Sequence, residues 1–275
     1  MNPASLLIGL TLFTAEPPTP ATRPASRAAA ATTQPAATRP AAVARTGTVA
    51  RVQQQDYALD FRPGLNSHVS IRNLKYTAGT PTIEAWVKPR EADLPADHWG
   101  AVIGNLEKQR GFGLGQRRSQ WTFRAWTTGK GDAQVSSGET VVSDRWVHLA
   151  GVLEGRQIRL YVDGKLQDQA TVDGQFKPSN MPILIGADPN LTGGVEKFTG
   201  FPGLIDEVRI SSSALYTKDF VPPPVLDKKP GTVVLYHLDE GADHVARDAT
   251  SHKNDGAIHG AEYVPVNPDE KKPRQ

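Results

Sequence analysis

No stretch of this chain carries the 3.6-residue apolar repeat of a capped helix. From Asp56 onward its apolar residues come in short alternating runs cut by Gly, Asp, Asn and Pro. That pattern confines the fold to β-structure, because a period of two sends alternate side chains to opposite faces of a strand. Gln120–Trp126 places Trp121, Phe123 and Ala125 on one face and Thr122, Arg124 and Trp126 on the other. Trp146–Val152 is more uniformly apolar, as a central strand should be. Asp163-Gly164 stands between Ile158–Val162 and Lys165–Gln169, and this dipeptide suits the positive φ angles of a type I′ turn. The expected architecture is all-β, with two packed antiparallel sheets.

Composition removes several function classes. The 275 residues contain no cysteine, which excludes disulfide scaffolds, thiolate metal sites and cysteine nucleophiles. No apolar run approaches the length of a membrane-spanning helix. The net charge of +2 hides an uneven distribution. Residues 1–55 hold five Arg and one Glu, leaving 26 basic and 28 acidic side chains in residues 56–275. The body is therefore slightly acidic, without the basic, aromatic-interleaved stripe of a nucleic-acid reader. Gln116-Arg117-Arg118 is the nearest candidate and reads as a solvated hairpin tip.

Residues 1–15, with the apolar run Leu6–Phe13, read as a signal peptide. Residues 16–50 are Ala, Pro or Thr at 25 of 35 positions, too poor in large apolar groups to offset ordering entropy, and read as a disordered linker. Residues 51–264 read as one domain, with 51–225 the main body and 232–264 further strands of the same sandwich. Residues 265–275 read as a disordered tail. The chain is expected to be an extracytoplasmic monomer.

The ordered series Ala58–Phe61, Thr82–Pro89, Gly111–Gly115, Trp146–Val152, Leu160–Lys165, Ile183–Ala187 and Gly203–Ile210 closely resembles laminin G-like domains of the concanavalin A-like lectin/glucanase superfamily. The resemblance implies a two-sheet jelly-roll sandwich. Val233–Gly241 and Arg247–Gly260 resemble the stretch that normally opens such a domain, but here it lies at the end, in the manner of a circular permutation. Two lone strands are marginal in water, so these are expected to join the first body beside Leu204–Ile210.

The retaining glucanases of this superfamily carry Glu-x-Asp-x-x-Glu on one strand, and no such string occurs here. Asp206-Glu207 are adjacent on a strand and are expected to face opposite ways. Neither a Gly-x-Ser-x-Gly elbow nor a phosphate-binding loop is present. His237, His244, His252 and His259 are interleaved with acids, but their spacing fits no single face of a regular element. His148, inside an apolar strand, reads as a structural histidine. The resemblance also implies one structural calcium ion, with Asp206 as its ligand; Asp206 is expected to share its face with Leu204, Val208 and Ile210. One departure counts against the ion: the family's Phe-Asp-Gly is Phe61-Arg62-Pro63-Gly64 here. Glu84 and Arg209 are expected to form a cross-strand ion pair near a sheet edge. Trp86, Trp121 and Trp146 read as core. Trp126 on a polar face, Trp99 in a loop and Arg124 are the candidate ligand contacts, because sugars are held by exposed aromatics with polar neighbours. The expected function is non-catalytic binding of carbohydrate or a cell-surface protein. The alternatives are a glycan hydrolase or lyase and a purely structural envelope protein.

Overall fold

The alternating runs become strands whose apolar faces meet between two antiparallel sheets. The structure, a computed structural model, describes residues 55–271 except 73, 75, 77–78, 130 and 191–196; the expected signal peptide and linker lie outside the described residues. The strands are β1 (Asp56–Phe61), β2 (His68–Ile71), β3 (Thr82–Pro89), β4 (Trp99–Gly104), β5 (Phe112–Arg117) and β6 (Gln120–Trp126). Next come β7 (Asp132–Ser136), β8 (Val147–Glu154), β9 (Gln157–Val162), β10 (Lys165–Thr171), β11 (Ile183–Ile185) and β12 (Ala187–Asn190). The chain continues through β13 (Lys197–Gly200), β14 (Gly203–Ser211), β15 (Thr232–Tyr236), β16 (Val245–Ala246), β17 (Gly256–His259) and β18 (Glu262–Val266). Sheet A runs β10-β9-β8-β3-β14-β1-β18, with β15 also beside β14; sheet B runs β16-β17-β2-β11-β4-β5-β6-β7. β12 and β13 form a separate hairpin. Leu59, Phe61, Ile83, Val208 and Ile210 of sheet A share one core with Val69, Ile103, Leu114 and Phe123 of sheet B.

The Asp163-Gly164 turn joins β9 to β10 with φ of 50° and 75°. The Phe220 carbonyl packs so close to Gly164 that a Cβ there would collide with it. β8 is buried on both faces for a reason outside the sheets. Leu149 and Leu153 enter the core. Ala150 and Val152 lie with Tyr161 beneath Tyr216 and Phe220 of the segment 212–227, which crosses the outer face of sheet A. Tyr216 and Phe220 stack at 3.5 Å, and Trp86 Nε1 donates to the Pro223 carbonyl at 2.9 Å.

β14 changes partners along its length. Gly203–Ile205 pair with β1 and Val208–Ser211 with β15, across a bulge at which Glu207 takes φ 51°. The bulge corrects two expectations. An inserted residue resets the alternation, so Val208 and Ile210 enter the core while Asp206 turns with Leu204 to the outer side. Nor do Asp206 and Glu207 face opposite ways: both are buried on the outer side, Asp206 against Lys271 and Glu207 accepting the Leu226 amide. The C-terminal boundary is corrected too. β18 extends to Val266, a 3-10 turn follows at Pro268–Glu270, and Lys271 is fully buried, because backbone pairing with β1 and carboxylate partners hold these residues.

Candidate functional site

The outer face of sheet A is polar where it is buried, and its charges are internally matched. Glu84 and Arg209 stand opposite each other in register, 2.7 Å apart, with side-chain exposures of 0% and 1%. They do form the ion pair, but at the centre of the sheet and not near an edge, since β3 lies between β8 and β14. Glu84 also accepts from Tyr216 Oη at 2.8 Å and pairs with His148 Nε2 at 3.1 Å. Arg209 reaches the Asp227 carbonyl and Tyr216 Oη. Burial alone would raise the Glu84 pKa, but His148, Arg209 and Tyr216 outweigh it and hold the carboxyl below its ordinary value. With no unpaired oxygen on Glu84, this cluster is an anchor for segment 212–227.

Asp206 lies farther along the same face. Lys271 Nζ contacts its Oδ2, donates to Asp56 Oδ2 at 3.1 Å and sits 5.5 Å from the centre of the Trp146 ring. Asp206 Oδ1 accepts the Glu207 amide. These residues do not fit the calcium ion that the family resemblance implies, because an ammonium already occupies the cation position beside Asp206. The departure at Phe61-Arg62 points the same way: Arg62 turns onto Asp60 at 2.9 Å, and Arg90 joins it there. The histidines do not gather either. His237 Nδ1 bonds Glu207 at 3.0 Å, His252 meets Thr250, and His259 stacks on His68. Among the described residues, no three His, Asp or Glu are placed to hold a metal ion.

Sheet B presents a different outer face. Phe112 and Leu114 of β5 enter the core, so Gly113 and Gly115 face outward, opposite Arg124 and Thr122 of β6. Other groups fill the space that side chains would take: over Gly113 lie the Leu106 side chain, whose Cδ1 would be 2.8 Å from a Cβ there, and the Trp99 indole at 3.2 Å, and over Gly115 lies the Gly100 backbone. The Asp188 carboxylate covers Gly104, 2.8 Å from where its Cβ would be. Trp99 is 9% exposed, Asp188 2%, and Arg124 and Trp126 are half-buried. Trp99 and Arg124 are thereby brought together through Gly113, and Trp126 flanks them one step along the same face of β6. Its ring packs against Gly131.

The polar atoms of this face are not matched. Asp188 Oδ1 accepts the Leu106 amide at 2.8 Å, and Arg124 Nη2 pairs with Asp132 at 2.5 Å. Asp188 Oδ2, Trp99 Nε1 and Arg124 Nε are buried without a hydrogen-bond partner among the described residues. The indole N–H is near enough to stabilise the Asp188 anion, yet not in hydrogen-bond geometry. Burial dominates and pushes the Asp188 carboxyl up to about 7, against the pull of Leu106, Trp99 and Arg124. Beside these residues a cleft of about 220 Å³ is lined by Arg117, Arg118, Gln120, Thr122, Gln134 and Ser136. A second, of about 490 Å³, runs past Asp132 and Gln134 to Arg156 and Asp173. Gln134 borders both. Asp188, Asp132 and Gln134 carry no motif in the sequence; only their place opposite glycines and on β7 marks them.

A family model described as the concanavalin A-like lectin/glucanases superfamily matches residues 63–219. None of the curated proteins compared with the sequence matches it. Among solved structures, similarity extends to a candidate carbohydrate binding protein from Bacteroides ovatus ATCC 8483, at 18% identity and a TM-score of 0.57. That match covers 78% of this chain and 61% of the Bacteroides protein, so the chain spans less than two thirds of it. The heptameric SAP-like pentraxin of Limulus polyphemus matches at 14% identity and a TM-score of 0.47, over 60% of this chain and 80% of its own. Domains LG4-5 of the mouse laminin alpha1 chain match at 14% and 0.45, over 58% and 43%. At these identities the likeness is one of fold.

Proposed function

The chain belongs to the concanavalin A-like lectin/glucanases superfamily, and from that premise we propose that it is a non-catalytic carbohydrate-binding module working outside the cytoplasm. The ligand seat is the outer face of sheet B, around Trp99, Arg124 and Trp126, with Asp188 as a wall. The observation that carries this reading is the half-buried pair Arg124 and Trp126 on the outer face of β6, beside the polar clefts that Gln134 borders. A sugar brings hydroxyls for the partly exposed Arg124 guanidinium and an apolar ring face for Trp126. The polar clefts beside Gln134 extend the seat. The Bacteroides protein of similar fold, described as a candidate carbohydrate binding protein, supports the same class of ligand. Asp188, with its raised pKa, is the carboxyl a hydrolase would use as acid. Its Oδ1 accepts the Leu106 amide and its side chain is covered, which argues against that use. Among the described residues, no helix is long and apolar enough to cross a membrane.

A glycan array with the full-length chain tests the proposal. Binding to a defined set of polysaccharides is expected. Trp126→Ala and Arg124→Ala should each weaken it by at least roughly tenfold, about 1.4 kcal/mol, with unchanged melting. No binding to any glycan, together with specific capture of a purified envelope protein, would favour a protein ligand instead.

A further inference from the structure

The geometry points to Lys271 as the resident cation of this fold: an ammonium delivered by the C-terminal segment takes the place beside Asp206 that the family resemblance gives to calcium. Asp206 is fully buried on the outer side of β14. A buried carboxylate is held only by a counter-charge or by several donors, and a metal ion or a basic side chain could provide the charge. Here the basic side chain is in place. Lys271 has no exposed surface, a condition lysine accepts almost only when paired. Its Nζ meets Asp206 Oδ2 and Asp56 Oδ2, and the face of Trp146 closes a third side. Burial works against both charges. It pushes the Asp206 carboxyl up, and it disfavours the ammonium, but Asp206 and Asp56 together outweigh burial and hold Lys271 above its ordinary value.

The route of the chain explains how the tail reaches this point. β18 runs antiparallel to β1 and ends at Val266, opposite Asp56. The 3-10 turn at Pro268–Glu270 then turns the chain back over the sheet, steadied by Lys88 Nζ on Glu270 at 3.4 Å. Lys271 is thereby set between Asp56 of β1, Asp206 of β14 and Trp146 just ahead of β8. A calcium ion at Asp206 would need six or more oxygen ligands. It would find Oδ1 taken by the Glu207 amide, Oδ2 by Lys271, and a fixed positive charge in contact. The two cations exclude each other, so the fold requires no divalent metal at Asp206, and the C-terminal segment links Asp56 of β1 to Asp206 of β14 through Lys271.

Thermal melts of the full-length chain in millimolar EDTA and in millimolar calcium chloride provide the test, with Lys271→Met and the double variant Lys271→Met/Asp206→Asn. The wild-type midpoint is expected to be the same in both solutions. Lys271→Met, which keeps an apolar stem but strands Asp206, should melt lower by roughly 6–20 °C. The double variant, with neither charge, should recover most of that loss. A wild-type midpoint that falls in EDTA or rises in calcium overturns the proposal. So does a Lys271→Met protein that melts like wild type, or a double variant no better than the single one. If Lys271→Met does not fold at all, a folded double variant still upholds the pairing, and a double variant that also fails to fold refutes it.

Discussion

Replacing Arg209 with Met isolates what the central ion pair of sheet A contributes. Met keeps an unbranched apolar stem under segment 212–227, so the change removes charge with little loss of packing. What remains is Glu84 at 0% exposure, with His148 and Tyr216 as its only partners, and an Asp227 carbonyl without its donor. Removing one partner of a buried pair costs about 3–5 kcal/mol, because the other charge stays buried uncompensated. For a folded body of this size that is a fall of roughly 6–20 °C in midpoint. Urea unfolding followed by tryptophan fluorescence reads it well, since Trp86 touches His148. The slope with denaturant should stay the same and the midpoint should drop. The double variant Glu84→Gln/Arg209→Met should lose less than the two single losses added together, by about 0.5–3 kcal/mol. The pH dependence follows from the lowered pKa of Glu84. Its contribution is present above the unfolded glutamate value, about 4.3, and is lost as pH falls through the lower folded value. Arg209→Met raises the folded value, so acid destabilisation should begin at higher pH. A loss below about 1 kcal/mol, the level of an exposed pair, or strict additivity in the double variant, would refute the reasoning.

Three further outcomes are expected. Asp188 has a folded pKa of about 7, above its unfolded value of about 3.9; the folded state therefore holds the extra proton between these values, stability declines as pH rises from about 4 to about 7, and Asp188→Asn should flatten that slope in urea titrations. Gly164→Ala should lower the midpoint, because φ is 75° and the Phe220 carbonyl fills the space; an unchanged midpoint would mean that the turn is free to shift. Deleting residues 228–275 strips β14, β1 and β2 of their β15, β18 and β17 partners, so the remainder should aggregate or unfold non-cooperatively, and a soluble, monomeric, cooperatively melting fragment would refute that.

Much of the fold was legible because alternation and turn chemistry are local. The split of Gln120–Trp126 into core and outer faces, the Asp163-Gly164 hairpin, and the pairing of Glu84 with Arg209 all follow from a period of two and from residue type. What was not legible depends on events between distant segments. The bulge at Asp206-Glu207 has no glycine to announce it; it exists because β14 must leave β1 and take up β15, and it reverses the faces expected for Asp206 and its neighbours. Lys271 sits in a Lys-, Glu- and Pro-rich end that reads as solvated, and only the pairing of β18 with β1 reveals where it goes. The central position of the Glu84–Arg209 pair likewise required the strand order. Of the face proposed to hold a ligand, Arg124 and Trp126 follow from the alternation of β6, whereas Trp99, expected in a loop, opens β4 and is buried. Asp188 was not legible, since its significance lies in Gly104 opposite it.

The outer faces of the two sheets differ in what covers them, although each holds buried polar atoms without a hydrogen-bond partner among the described residues: Trp146 Nε1, His148 Nδ1 and Ser211 Oγ on sheet A's side, and Trp99 Nε1, Arg124 Nε and Asp188 Oδ2 on sheet B's. On sheet A the charges are buried and paired: Glu84 with Arg209, Asp206 with Lys271, Glu207 with His237 and the Leu226 amide. The covering segments 212–227 and 267–271 come from the chain itself, so this face behaves as a second core, with polar pairs fixing the cover in one place. On sheet B the spaces over Gly104, Gly113 and Gly115 are taken by the Asp188 carboxylate, the Leu106 and Trp99 side chains and the Gly100 backbone, and Trp99, Arg124 and Asp188 leave polar atoms unmatched beside them. An unmatched buried donor or acceptor costs about 1–3 kcal/mol, and three of them together are a large burden for a fold of ordinary marginal stability. In the proposed seat a ligand's hydroxyls would meet the Arg124 guanidinium, whose side chain keeps 24% of its surface open. Under that proposal, removing the Arg124 guanidinium should cost affinity and little stability, because its pair with Asp132 is partly exposed and such pairs contribute about 0–1 kcal/mol.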